Sequence, residues 1–179
     1  LGIFSKQIAA TLPAILLIFD YIFLTNSDFK KLSEKKYYHL PFWLILFSYL
    51  LFRYLYLGSI GEIDARATWD NYSYMLIQPY VILKYLKLLL FPQGLCIYHS
   101  LVKPATILEF KILFSLVVII GIFITTLYKL FTKKTDSAKI IIFSILWFLL
   151  TISPSSSFFP IPLVMAERRL YLSGYGFYF

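Results

Sequence analysis

Leu113–Tyr128 reads LFSLVVIIGIFITTLY, an apolar run without a charge in it. A helix that crosses a bilayer needs about 20 mostly apolar residues, with about 17 as the lower limit. Extended back to Ile107, the run reaches that length, and it predicts a spanning helix over Ile107–Tyr128. Working outward, Ile8–Leu24 fits the same rule, because Pro13 is tolerated inside a membrane helix with neighbours. Leu40–Leu57 fits with Pro41 in its first turn and Arg53 near its far end. Ile140–Ile152 is short and stops at Ser153-Pro154, so it needs Lys139 to snorkel. A last apolar segment starts near Leu170 and runs to the chain end.

Composition points the same way. Of 179 residues, 60% are hydrophobic, 20% aromatic and 15% charged, and mean hydropathy is +0.77. Soluble domains carry about 45–50% apolar and about 25% charged residues. On these grounds a water-soluble globular enzyme, a disordered chain and a fibrous repeat are all set aside. The net charge of +8 is read as topology and anionic-lipid contact rather than nucleic-acid binding, because the lysines sit between apolar segments. One cysteine, Cys96, cannot form an internal disulfide, and a Cys/His zinc site lacks ligands on this count. No cofactor motif is visible, and a divalent metal in a longer protein would draw on carboxylates upstream of Leu1.

Met75–Pro92 reads MLIQPYVILKYLKLLLFP. Lys84 and Lys87 share one helix face, while Leu83, Leu86 and Leu90 populate another. The loops at 25–39 and 129–139 are both lysine-rich, so both are expected on the cytoplasmic side. They share a side only if this segment lies flat, which predicts an interfacial amphipathic helix over Leu76–Phe91. The expected fold is all-α: a polytopic transmembrane helix bundle with about five membrane helices and one interfacial helix. Residues 1–179 are expected to be part of a single transmembrane domain, cut at both ends, with no separate soluble domain.

On that topology the unusual polar residues collect on the non-cytoplasmic face. They are Lys6 and Gln7, Arg53, His99 and Lys103, then Glu167, Arg168 and Arg169. Such groups are costly in lipid, so they face a water-filled cavity or pair with one another. A basic cluster at a membrane surface suits an anion whose tail lies in the bilayer, and arginine grips phosphate through two parallel hydrogen bonds. Each residue also has a plainer role: Arg53 as a snorkelling side chain, His99 as a loop histidine, Glu167 to Arg169 as an interface anchor. Glu62 and Asp64 read as solvated loop charges. Trp69, Tyr72 and Tyr74 are candidates for a sugar-stacking platform. Ser155–Ser157 shows no paired base.

The order of several runs resembles a known family. Trp147 to Pro154, Pro160-Ile161-Pro162 and Glu167-Arg168-Arg169-Leu170-Tyr171-Leu172 resemble the end of the membrane region of GT-C-type glycosyltransferases. The similarity is to those with C-terminal tetratricopeptide repeats, including transmembrane O-mannosyltransferases. Ser5-Lys6-Gln7, Arg53-Tyr54 with Gly58, and Gln78-Pro79 through Phe91-Pro92 into Gly94-Leu95 fit the same order. Gln7, Tyr98 and Ser173-Gly174 depart from the family pattern. The resemblance implies transfer of a sugar from a polyprenyl-phosphate donor to a protein or glycan acceptor, with inversion. It implies a bacterial inner membrane or its equivalent, with the catalytic carboxylate upstream of Leu1. The enzyme reading thus belongs to the longer protein. Combined with the basic cluster, it assigns Arg168, with Arg169 or Lys6, to the donor phosphate and Glu167 to orienting an arginine. Arg53, His99 and Tyr171 stand behind them. Two rivals are a lipid-linked-sugar transporter or flippase and a non-catalytic membrane scaffold. The transporter would want polar residues at the bilayer midplane, and only Ser115, Thr125, Thr126 and Ser144 interrupt those two helices.

Overall fold

The structure, a computed structural model, describes residues 7–58, 69–96, 99–104, 106–132, 135–156 and 163–178. It is all-α. A 3-10 turn, Gln7–Thr11, leads into α1 (Leu12–Phe19), which continues through a π turn at Asp20–Leu24. Then come α2 (Phe29–Glu34), α3 (Lys36–Leu57), α4 (Asn71–Leu90), α5 (Phe110–Thr132) and α6 (Asp136–Ile152). A second 3-10 turn, Glu167–Arg169, opens α7 (Leu170–Tyr178).

Local chemistry sets the ends. The Asp28 carboxylate accepts the Lys30 N–H at the start of α2, and the Asp70 carboxylate accepts the Ser73 N–H at the start of α4, each at 2.9 Å. Gly58, at φ +69°, stops α3 by taking the left-handed turn while its N–H donates to the Tyr54 carbonyl. Hydroxyls inside the apolar helices bond one turn back: Ser115 to the Lys111 carbonyl, Thr126 to Ile122, Ser144 to Ile140 and Thr151 to Trp147. Their polar atoms are thus satisfied without a partner helix.

The main core is built on α4. Tyr74, Ile77, Val81, Tyr85 and Leu88 are spaced to form one face. They are buried against Phe148 and Ile152 of α6 and against Val164 and Met165. Burying each large side chain stabilises the fold by about 1.5–3 kcal/mol. A second cluster, Tyr21 and Ile22 with Ile142, joins the N-terminal segment to α6. Helices α6 and α7 are the most closely packed pair. Trp147 Nε1 donates to the Leu172 carbonyl at 2.9 Å. Gly176 lies so near that an added Cβ would stand 2.7 Å from both the Ser144 carbonyl oxygen and Trp147 Cδ1.

This architecture corrects the expected bundle of about five membrane helices. Among the described residues only one helix, Phe110–Lys129 within α5, is long and apolar enough to cross a membrane. Ile8–Leu24 is apolar but short, and it is broken into 3-10, α and π turns. Its π turn opens on a buried carboxylate, Asp20, held by Lys35 Nζ at 3.0 Å and His39 Nε2 at 2.9 Å. In α3, Tyr37, Tyr38, His39, Tyr49, Arg53, Tyr54 and Tyr56 dilute the apolar residues. Helix α6 has only 17 residues and buries Ile142, Phe148, Thr151 and Ile152 inside the protein. The interfacial helix is corrected too. The segment is amphipathic as expected, with Lys87 exposed, but protein rather than lipid covers its apolar face. The two lysine-bearing loops do meet, since Lys139 Nζ donates to Asn26 Oδ1 at 2.9 Å.

Candidate functional site

The site forms where the chain leaving α4 meets the turn that opens α7. Helix α4 ends as the Phe91 N–H donates to the Lys87 carbonyl, and Gly94, at φ +69°, redirects the chain toward Cys96 and His99. On the other side, Tyr85 Oη donates to the Ala166 carbonyl at 3.1 Å and accepts the Ala166 N–H at 2.9 Å. Arg169 spreads its guanidinium over the carbonyls of Val164 (3.1 Å) and Leu163 (2.6 Å). The two Tyr85 bonds hold Ala166 against α4, the two Arg169 bonds fold the segment on itself, and Glu167 faces Cys96 and His99.

Glu167 Oε1 then accepts two hydrogen bonds, from the Cys96 backbone N–H and from His99 Nε2, each at 2.8 Å. The Cys96 N–H first, and His99 after it, hold the Glu167 carboxyl below the usual carboxylate range against a desolvation that works the other way. An ionised carboxylate only accepts, so Nε2 carries the proton. The other ring nitrogen, Nδ1, stands 3.3 Å from Cys96 Sγ. His99 has 9% side-chain exposure and Glu167 22%, so the pair is screened from water on most sides.

Arg168 is exposed, and it makes no ion pair or hydrogen bond among the described residues. It borders two hollows. One, of about 340 Å³, is lined by Leu95, Cys96, Leu163, Ala166 and Glu167 with Arg168. The other, of about 450 Å³, is an open groove along α7 with Leu89, Glu167, Leu170, Tyr171, Tyr175 and Tyr178. Arg168 thus lines both hollows, and the walls of each are mostly apolar.

No family model, curated protein or solved structure matches this chain.

The expected site residues divide. Arg168, Glu167 and His99 come together, and Tyr171 borders the groove, its exposed ring edge-on to Tyr175 at 5.8 Å. Arg169 donates from Nη1 and Nη2 to the Val164 and Leu163 carbonyls. Glu167 meets His99 Nε2 at 2.8 Å. Arg53 stands on α3, donates to Tyr49 Oη one turn back at 3.2 Å, and lines neither hollow beside Arg168. Lys6, Glu62 and Asp64 lie outside the described residues.

Lys103 is drawn to Asp70 at 3.9 Å and over the Trp69 ring at 5.8 Å. Tyr74 is fully buried and donates to the Ser155 carbonyl, so it cannot stack on a sugar. Ser155 Oγ bonds the Ile152 carbonyl. Two site residues escaped the sequence reading. Tyr85 carried no signal beyond its place on the apolar face of α4. Cys96 did carry one: it stands three residues before His99, a ligand spacing that a count of cysteines and histidines passes over.

Proposed function

We propose that this chain belongs to a membrane-bound glycosyltransferase of the GT-C type and supplies the grip on the donor phosphate. The donor would be a polyprenyl-phosphate sugar, the acceptor a protein or glycan, and the working face the non-cytoplasmic one. The observation that carries the reading is the placement of Arg168, an exposed cation that lines two mostly apolar hollows. A lipid-linked phosphate has the matching halves: an anionic head for the guanidinium and a hydrocarbon chain for the groove. Lipid contact is supported by α5, and by Ile45, Phe47, Leu51 and Phe52, which α3 leaves exposed.

In this reading the cation acts on the leaving group. As the bond from the anomeric carbon to the phosphate oxygen breaks, negative charge grows on the phosphate, and a fixed guanidinium stabilises it. The test is Arg168→Ala in the complete protein, assayed with a polyprenyl-phosphate sugar. Transfer is expected to fall by about 10²–10³-fold at normal expression. Undiminished transfer would return the chain to the role of membrane scaffold.

A further inference from the structure

The geometry points to a transition-metal site at Cys96 and His99, with Glu167 as the residue that orients both. Donor atoms of the three residues lie within 4.8 Å of one another. A histidine ring cannot give both nitrogens to one ion, so its two contacts decide the arrangement. Nε2 is taken by Glu167 at 2.8 Å, which leaves Nδ1 directed at Cys96 Sγ. In a tetrahedral zinc site, with Zn–S about 2.3 Å and Zn–N about 2.0–2.1 Å, the two donors stand about 3.5 Å apart. Sγ and Nδ1 stand 3.3 Å apart, so an ion enters with a shift of a few tenths of an ångström.

The same carboxylate fixes both ligands before any ion arrives. It takes the N–H of His99 Nε2, the usual way in which a metal-bound histidine is held in the right tautomer. It also takes the backbone N–H of Cys96, which sets the position of the thiol. Binding replaces the thiol proton: Cys96–SH and a divalent ion give Cys96–S–metal and one proton released to buffer. A thiolate with an imidazole selects zinc or a similar borderline ion over magnesium or calcium. Cys96 and Glu167 line the 340 Å³ pocket, so the ion's two remaining positions open into it, toward water or an anionic oxygen. This inference does not rest on the glycosyltransferase reading.

The test is a Co²⁺ titration of the purified, reduced and metal-stripped chain in detergent. The expected result is one cobalt per chain with a thiolate-to-cobalt charge-transfer absorption, displaced by Zn²⁺ and indifferent to Mg²⁺. Cys96→Ser should lose the absorption and His99→Gln should weaken binding sharply, with helicity by circular dichroism showing that both remain folded. Glu167→Gln should keep the absorption while weakening affinity about 10–100-fold. Absence of the absorption in the unsubstituted chain overturns the site. So does unchanged affinity in His99→Gln or Glu167→Gln, or a stoichiometry of two chains per ion. The titration contains no lipid and no acceptor, so its failure leaves the phosphate grip standing, and the reverse also holds.

Discussion

Glu167 shows how a single residue earns a place by its partners. Its carboxyl is held below the ordinary value of 4.5 by the Cys96 N–H and then by His99. A depressed folded-state pKa means stabilisation that is complete above the unfolded value and is lost as pH falls through the folded one. The chain should therefore lose stability on acidification below about pH 4.5. Glu167→Gln should lack that component, so its unfolding midpoint should depend less on pH across the same range. Equal slopes in chemical unfolding followed against pH would refute this. The next two residues show what a sequence leaves open. Arg168 and Arg169 are chemically alike, but in a 3-10 turn successive side chains point about 120° apart. One therefore faces the hollows and the other its own backbone. The basic run was legible, and the division of labour within it was not.

At the scale of elements, the site depends on α4 through Tyr85. This hydroxyl bonds both polar groups of Ala166, which is 2% exposed, and the carbonyl also accepts the Arg169 N–H at 3.1 Å. Tyr85→Phe leaves the Ala166 N–H buried without that partner, while the carbonyl keeps the Arg169 N–H, at a cost of about 1–3 kcal/mol. Thermal unfolding should show the loss. The turn bearing Arg168 should loosen with it, so any stabilisation of the chain by a phosphate-bearing lipid should shrink. A Tyr85→Phe chain as stable as the original would mean that water replaces the hydroxyl. The amphipathic face of α4 could be read from Tyr74, Ile77, Val81, Tyr85 and Leu88. What covers that face could not, because Val164 and Met165 come from a stretch with no periodicity of its own.

At the scale of the whole molecule, the proposed membrane attachment would rest on α5, the one helix among the described residues that is long and apolar enough to cross a membrane. Val117, 62% exposed, lies in the middle of the candidate span. A charge at the centre of a spanning helix costs about 2.5–3.5 kcal/mol of insertion. Val117→Arg should therefore move the chain out of the membrane fraction after alkaline extraction, whereas the unsubstituted chain should stay in it. Extraction of the unsubstituted chain would end the attachment reading. Helical class and the position of this one run were both readable from residues 107–128. The number of spans was not, because apolar content alone does not distinguish lipid from protein as the covering. Helix α6 turns Phe148 and Ile152 inward against α4, and the first apolar segment turns Tyr21 and Ile22 against Ile142.

The near contact of Gly176 with Trp147 and the Ser144 carbonyl has a mechanical result. Two helices that close behave as one lever, since neither can rotate about its own axis without collision. Tyr171, Tyr175 and Tyr178 are carried on that lever. Widening the groove for a bulky occupant would thus require α6 and α7 to swing in concert, and the displacement would be felt in the packing beneath α4.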